Sequence, residues 1–305
     1  MAAINRASIA KQLLPGLNAV FGIEYGEVAD EYSVLYEVEN SDRAFEEEVL
    51  FTGFGEAPVK GEGAAVQYDN AQESYTSRYT AETIALAFSV TEEAMEDNLY
   101  DTFAKLRARG LARSMASTKQ TKAAQTFNQG FNTAYGGGDG QPMFSASHPT
   151  VGDGTQSNLI GTTGTVDLSE AALETALVSI QTLKDDRGIL IGAGAVSLHV
   201  APSNQFTADR VLNSPYQSNT ADNNINSINH QGMLPSGYMV NKRFSDPDAF
   251  FIKTDVPNGA KMFIRAPLAT KMEPDFDTGN LRFKARERYS FGWSDWRGYF
   301  GSQGA

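Results

Sequence analysis

Ile84, Leu86, Phe88 and Val90 alternate with Ala85, Ala87 and Ser89, the period-two pattern of a β-strand. The period then lengthens. Residues 90–132 contain no proline, and only Gly110 and Gly130 interrupt good helix formers, so one long helix is predicted. Ser89 with Glu92 three residues on fits a capping box, and Glu93, Glu96 and Asp97 favour a helix N-terminus. Lys105, Arg107, Arg109, Arg113, Lys119 and Lys122 follow, giving the acid-to-base polarity that the helix dipole prefers. Met95, Leu99, Phe103 and Leu106 recur at three- and four-residue steps, and the stripe thins through Leu111 and Met115 to Phe127 and Phe131. Such a helix would be on the order of 60 Å long. That exceeds the needs of a compact domain and predicts contact with other chains, unless it is a surface helix broken near Gly110.

Upstream, residues 1–45 read as an arm, with a helix-compatible start and then Tyr32, Val34, Tyr36 and Val38 alternating like a strand. Residues 53–74 carry Gly53, Gly55, Pro58, Gly61 and Gly63 among Glu56, Glu62, Asp69 and Glu73. So little apolar matter cannot build a core, and a protruding hairpin ordered by a neighbouring subunit is expected.

Downstream, residues 136–164 are glycine- and proline-rich and read as a loop. Asp167 and Glu170 can cap a helix bearing Leu173, Leu177 and Ile180, with Arg187-Gly188 as its stop. A strand at Val196–Val200 follows, then a short helix capped by Ser203 and ending near Leu212. The asparagine-rich stretch 217–230 favours turns, and strands return at 238–244, 249–253 and 261–265. The class is α+β. In the last segment Arg282, Lys284, Arg286 and Arg288 share one strand face, opposite Leu281, Phe283, Ala285, Tyr289, Phe291 and Trp293. This basic ladder is either a solvated face paired with the chain's own acids or a contact for a neighbour's acidic loop. Trp293, Trp296, Tyr299 and Phe300 read as core anchors.

Composition narrows the function. The 305 residues, 41% of them hydrophobic, suffice for one large domain or two smaller ones. No stretch has the apolar length to span a bilayer and Met1–Pro15 lacks a secretion-signal layout, so a cytosolic product is expected. The absence of cysteine excludes disulfides, thiolate metal sites and cysteine nucleophiles. A net charge of -12 disfavours a protein that grips nucleic acid. His148, His199 and His230 have no metal-ligand spacing. Ser145 and His148 lack a nucleophile-elbow context, so His148 reads as a loop anchor. Glu46, Glu47, Glu48, Glu92 and Glu93 could supply a glycosidase carboxylate pair but fit a solvated face or helix start better. The glycines at 136–138 and 192–194 lack a phosphate-loop context. No enzyme, cofactor or metal is expected.

Taken in order, the arm, the acidic hairpin Gly53–Tyr79, the long helix from Ser89, the loop Asp139-Gly140-Gln141-Pro142-Met143-Phe144-Ser145-Ala146-Ser147-His148-Pro149 and the mixed unit resemble a tailed-phage major capsid protein. The nearest type is the Mu-like major head subunit. The resemblance implies the HK97-like capsid fold: an N-terminal arm (1–45), an extended E-loop (46–82), a peripheral domain with spine helix and loop (83–165), an axial domain (166–275) and a C-terminal strand returning to the peripheral sheet (276–305). It also implies hexamers and pentamers in an icosahedral head around double-stranded DNA, assembled in the host cytoplasm without sequence-specific DNA contacts or a membrane. The acids Glu56, Glu62, Asp69 and Glu73 would meet basic residues of an adjacent subunit, with Arg107, Arg109, Arg282, Lys284, Arg286 and Arg288 as candidates. Lys60 lies where some relatives cross-link lysine to asparagine, but no matching partner is recognisable and no cross-link is expected. With only residues 1–45 before the E-loop, a separate scaffolding protein is expected, beside a portal and decoration proteins. An encapsulin-type compartment shell shares the fold and remains an alternative, as does an acidic hydrolase using Glu92 or Glu93.

Overall fold

A computed structural model describes residues 6–91, 93, 100–152, 154–217, 224–275 and 277–305. The chain opens with helix α1 (Arg6–Glu27), the short α2 (Tyr32–Leu35) and strand β1 (Glu37–Asn40). The strand expected across 32–38 is therefore mostly absent. Leu35 and Tyr36 are both buried, which alternation forbids, and the turn is closed by Ser33 N–H donating to Asp30 (3.2 Å). Strands β2 (Phe45–Phe51) and β3 (Glu73–Thr80) form the expected hairpin, and β4 (Glu82–Val90) follows where the alternation placed it.

Helix α3 (Tyr100–Asn128) runs unbroken through Gly110 and is about 44 Å long at 1.5 Å per residue. Ser89 does not cap it. That residue lies inside β4 opposite Arg282, because the sheet ladder claims its backbone. Met95 and Leu99, like Glu92, Glu96 and Asp97, lie outside the described residues. Leu106 is exposed, and the buried face is instead Ala104, Ala108, Ala112, Ala123 and Ala124 with Leu111, Met115 and Phe127. Small side chains bring the helix close to what it covers, at the cost of a weak apolar signal in sequence. Much of α3 is thus covered by its own chain. Leu17 and Phe21 of α1, Leu111 and Met115 of α3, and Phe283 and Ala285 of the sheet below share one core cluster.

A small hairpin, β5 (His148–Pro149) with β6 (Thr155–Gln156), interrupts the glycine-rich loop. Helix α4 (Glu170–Gln181) is capped by Ser169, whose hydroxyl accepts from Ala172 N–H (3.2 Å), rather than by Asp167. It ends at Gln181, before Arg187-Gly188; the amides of Arg187 and Ile189 are instead tied to Asp185. Strand β7 (Ala195–Val200) and α5 (Gln205–Asn213) match expectation, although Ser203 sits in a 3-10 turn and caps nothing. Asn226 caps α6 (Ser227–Gln231), a helix inside the stretch expected to be loop. Strands β8 (Tyr238–Val240), β9 (Phe250–Thr254), β10 (Ala260–Pro274), β11 (Leu281–Trp293) and β12 (Tyr299–Ser302) complete the chain.

The larger strands make two four-stranded sheets, β1-β10-β11-β4 and β12-β9-β7-β8. The hairpin β10–β11 straddles the 275/276 boundary, so β10 shares a sheet with β4, and the chain end enters the second sheet as β12. The main core lies between them. Phe127 is its hub, with Tyr299, Phe251, Tyr36, Phe244 and Phe144 at ring-centroid distances of 4.9 to 6.4 Å. Trp296, Tyr299 and Phe300 are buried there as anticipated. No helix among the described residues is long and apolar enough to cross a membrane.

Candidate assembly interface

The hairpin has a rigid root and a coreless tip. At the root, Lys261 of β10 is buried between Glu48 (2.5 Å) and Glu39 (3.0 Å). Burial alone pulls the Lys261 ammonium down, but the hydrogen bonds and charges of the two glutamates outweigh it and hold its pKa above the ordinary lysine value. Glu48 also accepts from Ser294, the Tyr79 hydroxyl meets the same serine, and Tyr75 donates to the Ser294 carbonyl (3.0 Å). Gly138 lies so close to β3 that a Cβ there would sit 2.5 Å from the Thr76 carbonyl oxygen. Both strands are thereby bolted to the body.

Beyond Phe51 the two limbs touch mainly through Thr52 and Gln72, with Gly55 N–H donating to Asp69 (2.8 Å). That bond and one from Asn70 N–H hold the Asp69 carboxyl below its ordinary pKa, and Arg187 adds to the effect. Phe54, Val59, Val66 and Tyr68 are exposed, the last 97% so. Among the described residues, nothing buries them.

On the first sheet, the alternation in β11 is realised as drawn from sequence. Arg282, Lys284 and Arg286 are exposed and Arg288 half-buried on one face, while Leu281, Phe283, Ala285 and Tyr289 are buried on the other. Their neighbours on β4 are Ser89, Ala87, Ala85 and Thr83, all small. The candidate charges divide into two groups. Arg282 pairs with Asp275, Arg109 approaches Glu24 (3.8 Å), and Asp69 pairs with Arg187 (2.9 Å). Arg107, Lys284, Arg286 and Arg288, and Glu56, Lys60, Glu62 and Glu73 on the other side, make no ion pair within 4 Å among the described residues.

Sequence reading missed Glu287, which interrupts the apolar face of β11. It is buried and faces Lys119 (3.2 Å) and the Tyr25 hydroxyl (3.3 Å), joining α1, α3 and β11. An acid at a buried-parity position beside a lysine-bearing helix was the available signal.

The loop histidine is an anchor. His148 is fully buried and stacks on Trp296 at 4.5 Å. Its Nδ1 meets Asp139 (2.6 Å) and its Nε2 meets Asn158 Oδ1 (3.1 Å). Asn158 Nδ2 donates to the carbonyls of Met143, Trp296 and Tyr299, so its Oδ1 is an acceptor and the loop is stitched to the chain end. Ser145 donates to Gln141, not to His148. The carboxylates Glu46, Glu47 and Glu48 are engaged by Ser41, Arg78 and Lys261. Glu93 is exposed. No group of three potential metal ligands occurs among the described residues.

A family model described as phage capsid protein matches residues 73–300, well over half of the chain. The chain belongs to the phage capsid protein family. No curated protein matches it. Solved shells share its fold at low identity. The capsid of an empty GTA particle aligns over 90% of this chain and 90% of its own, with TM-score 0.57 and 16% identity. The procapsid of bacteriophage JBD30 covers 98% of this chain and 76% of that one (TM-score 0.53, 14% identity). A virus-like particle from Pyrococcus furiosus covers 94% and 98% (TM-score 0.51, 9% identity). The architecture is the HK97-like capsid fold. This capsid protein is thus a structural subunit of a phage capsid.

Proposed function

We propose that the capsid protein assembles as hexamers and pentamers around double-stranded DNA, with the acidic hairpin of one subunit lying against the basic ladder of its neighbour. Within this reading residues 46–82 are the E-loop, α3 is the spine helix of the peripheral domain, and residues 166–275 are the axial domain. The subfamily is the Mu-like major head protein, on the strength of the Gly140–Pro149 loop. A separate scaffolding protein, a portal and decoration proteins complete the assembly.

The observation that carries the interface is charge left unspent. Among the described residues, Glu56, Glu62 and Glu73 make no ion pair within 4 Å at one end, and Lys284, Arg286 and Arg288 make none at the other. An exposed pair contributes only about 0–1 kcal/mol, so specificity comes from several such contacts repeated around a closed shell. The net charge of -12 suits a container, since a lining that does not bind phosphate lets DNA slide during packaging.

The test is a double-mutant cycle. Glu62→Ala and Arg286→Ala should each lower particle yield and heat stability, and the double variant should lose less than the sum. Unchanged yield and heat stability in all three would remove the pairing. Nucleic acid inside purified particles supports a phage head, whereas packaged enzyme would indicate a compartment shell.

A further inference from the structure

The outer part of the hairpin is tied to the body at one carboxylate. Asp69, on the returning limb, accepts from the Gly55 amide of the outgoing limb (2.8 Å) and from the Asn70 amide (2.9 Å), and Arg187 Nη2 donates to both of its oxygens (3.0 and 2.9 Å). A single side chain therefore joins the two limbs to the turn after α4. That turn is firmly held. Asp185 accepts from the amides of Arg187 and Ile189 (both 2.8 Å), and Asp186 is buried against the Arg297 guanidinium, which also donates to the Lys184 carbonyl (3.1 Å). Gly152 N–H, in the turn between β5 and β6, donates to the Asp186 carbonyl (2.9 Å). Arg187 thus stands on a fixed post.

We propose that Asp69 and Arg187 form an intramolecular latch, which sets the direction of the hairpin on its own subunit before a neighbour is met and leaves only residues 56–68 to be ordered on assembly. The role in assembly rests on the shell reading above, whereas the latch itself belongs to the single subunit. Chain entropy gives the contact its weight. Thr52 N–H donates to the Gln72 carbonyl (2.8 Å) where the strands end, and the tie at Gly55 and Asp69 confines the loose chain to the tip beyond it. Preorganising a binding segment cuts the ordering cost that association must offset, so the latch speeds assembly. Val59, Val66 and Tyr68 stay exposed in or beside the free tip, available to a neighbour. The two amide bonds, with Arg187 beside them, hold the Asp69 carboxyl below its ordinary pKa, so the latch stays charged in mildly acid solution. Its side chain is 42% exposed and that of Arg187 22%, so salt weakens the pair.

Hydrogen–deuterium exchange on dilute, unassembled subunits reads the latch directly. Arg187→Gln should speed exchange of the Gly55 and Asn70 amides by about threefold, and Asp69→Ala by about tenfold, since it also removes their acceptor. The double variant should exchange no faster than Asp69→Ala alone, because one latch opens once. High salt should speed the same amides in the unmodified protein and leave Asp69→Ala unaffected, an arm that needs no altered chain to fold. Light scattering should then show slower particle formation by both single variants. Exchange unchanged by Arg187→Gln, or accelerations that multiply in the double variant, would overturn the latch and leave the shell reading intact. Loosened loops that assemble as fast as the unmodified protein would overturn its preorganising role. Exchange that follows the latch in a protein forming no particles would sink the shell reading alone.

Discussion

The ion pair between Lys119 and Glu287 makes a sharp test, because it fastens helix α3 to the reverse side of the sheet that carries the ladder. Lys119 Nζ lies 3.2 Å from Glu287 Oε2, with 12% and 1% of the two side chains exposed. The rings of Tyr32, Tyr289 and Tyr25 stand 5.3, 5.4 and 5.9 Å from the ammonium. With an effective dielectric of about 20, attraction at this separation is about 5 kcal/mol, and desolvation of the two ions offsets most of it. The pair as a whole therefore contributes little, while either ion left alone is expensive. Glu287→Leu or Lys119→Met singly should destabilise the subunit by about 3–5 kcal/mol, and the double variant should recover most of that loss. Urea unfolding of subunits held below the assembly concentration, followed by tryptophan fluorescence, measures each value without linkage to the shell. Single variants costing less than about 1 kcal/mol, or a double variant no better than the worse single one, would refute the reasoning.

Three further outcomes are expected. Phe127→Ala should cost about 3–5 kcal/mol in the same urea assay, since it opens a cavity among five aromatic rings. Asn158→Ala should cost about 2–4 kcal/mol, because it removes the side-chain donor shared by the carbonyls of Met143, Trp296 and Tyr299; a thermal melt of the subunit checks it. Burial, with Lys253 nearby, pushes His199 down to about 3, so it stays neutral in the fold while the unfolded chain takes up a proton below about pH 6.5. Its contribution is present in full above pH 6.5 and is lost at up to about 1.4 kcal/mol per pH unit as pH falls towards 3, a slope that His199→Gln should remove from a stability–pH series.

Local periodicity carried much of the architecture. Strand β4, helix α4, strand β7 and the two-faced β11 depend on spacing within a dozen residues, and spacing is what a sequence displays. The coreless hairpin was equally plain, because a shortage of apolar residues needs no partner to recognise. The misreadings share one cause. Ser89 looked like a cap until β11 claimed it, Tyr32–Leu35 looked extended until the core took both Leu35 and Tyr36, and α3 hid its buried face in alanines. In each case a residue distant in sequence supplied the deciding interaction.

The amino-acid sequence by itself determined the class of elements, the two faces of β11, the acidic tip, and a charge balance unsuited to gripping DNA. Only the tertiary structure decided which charges remain available. It spends Arg282 on Asp275, Arg109 on Glu24 and Asp69 on Arg187, and leaves Arg286 and Glu62 without an ion-pair partner among the described residues. It also leaves β4 paired with β11 alone among the described residues. The physical reason is that charge type and periodicity are properties of each residue and its near neighbours, whereas pairing and exposure are set by which distant segments the core brings together.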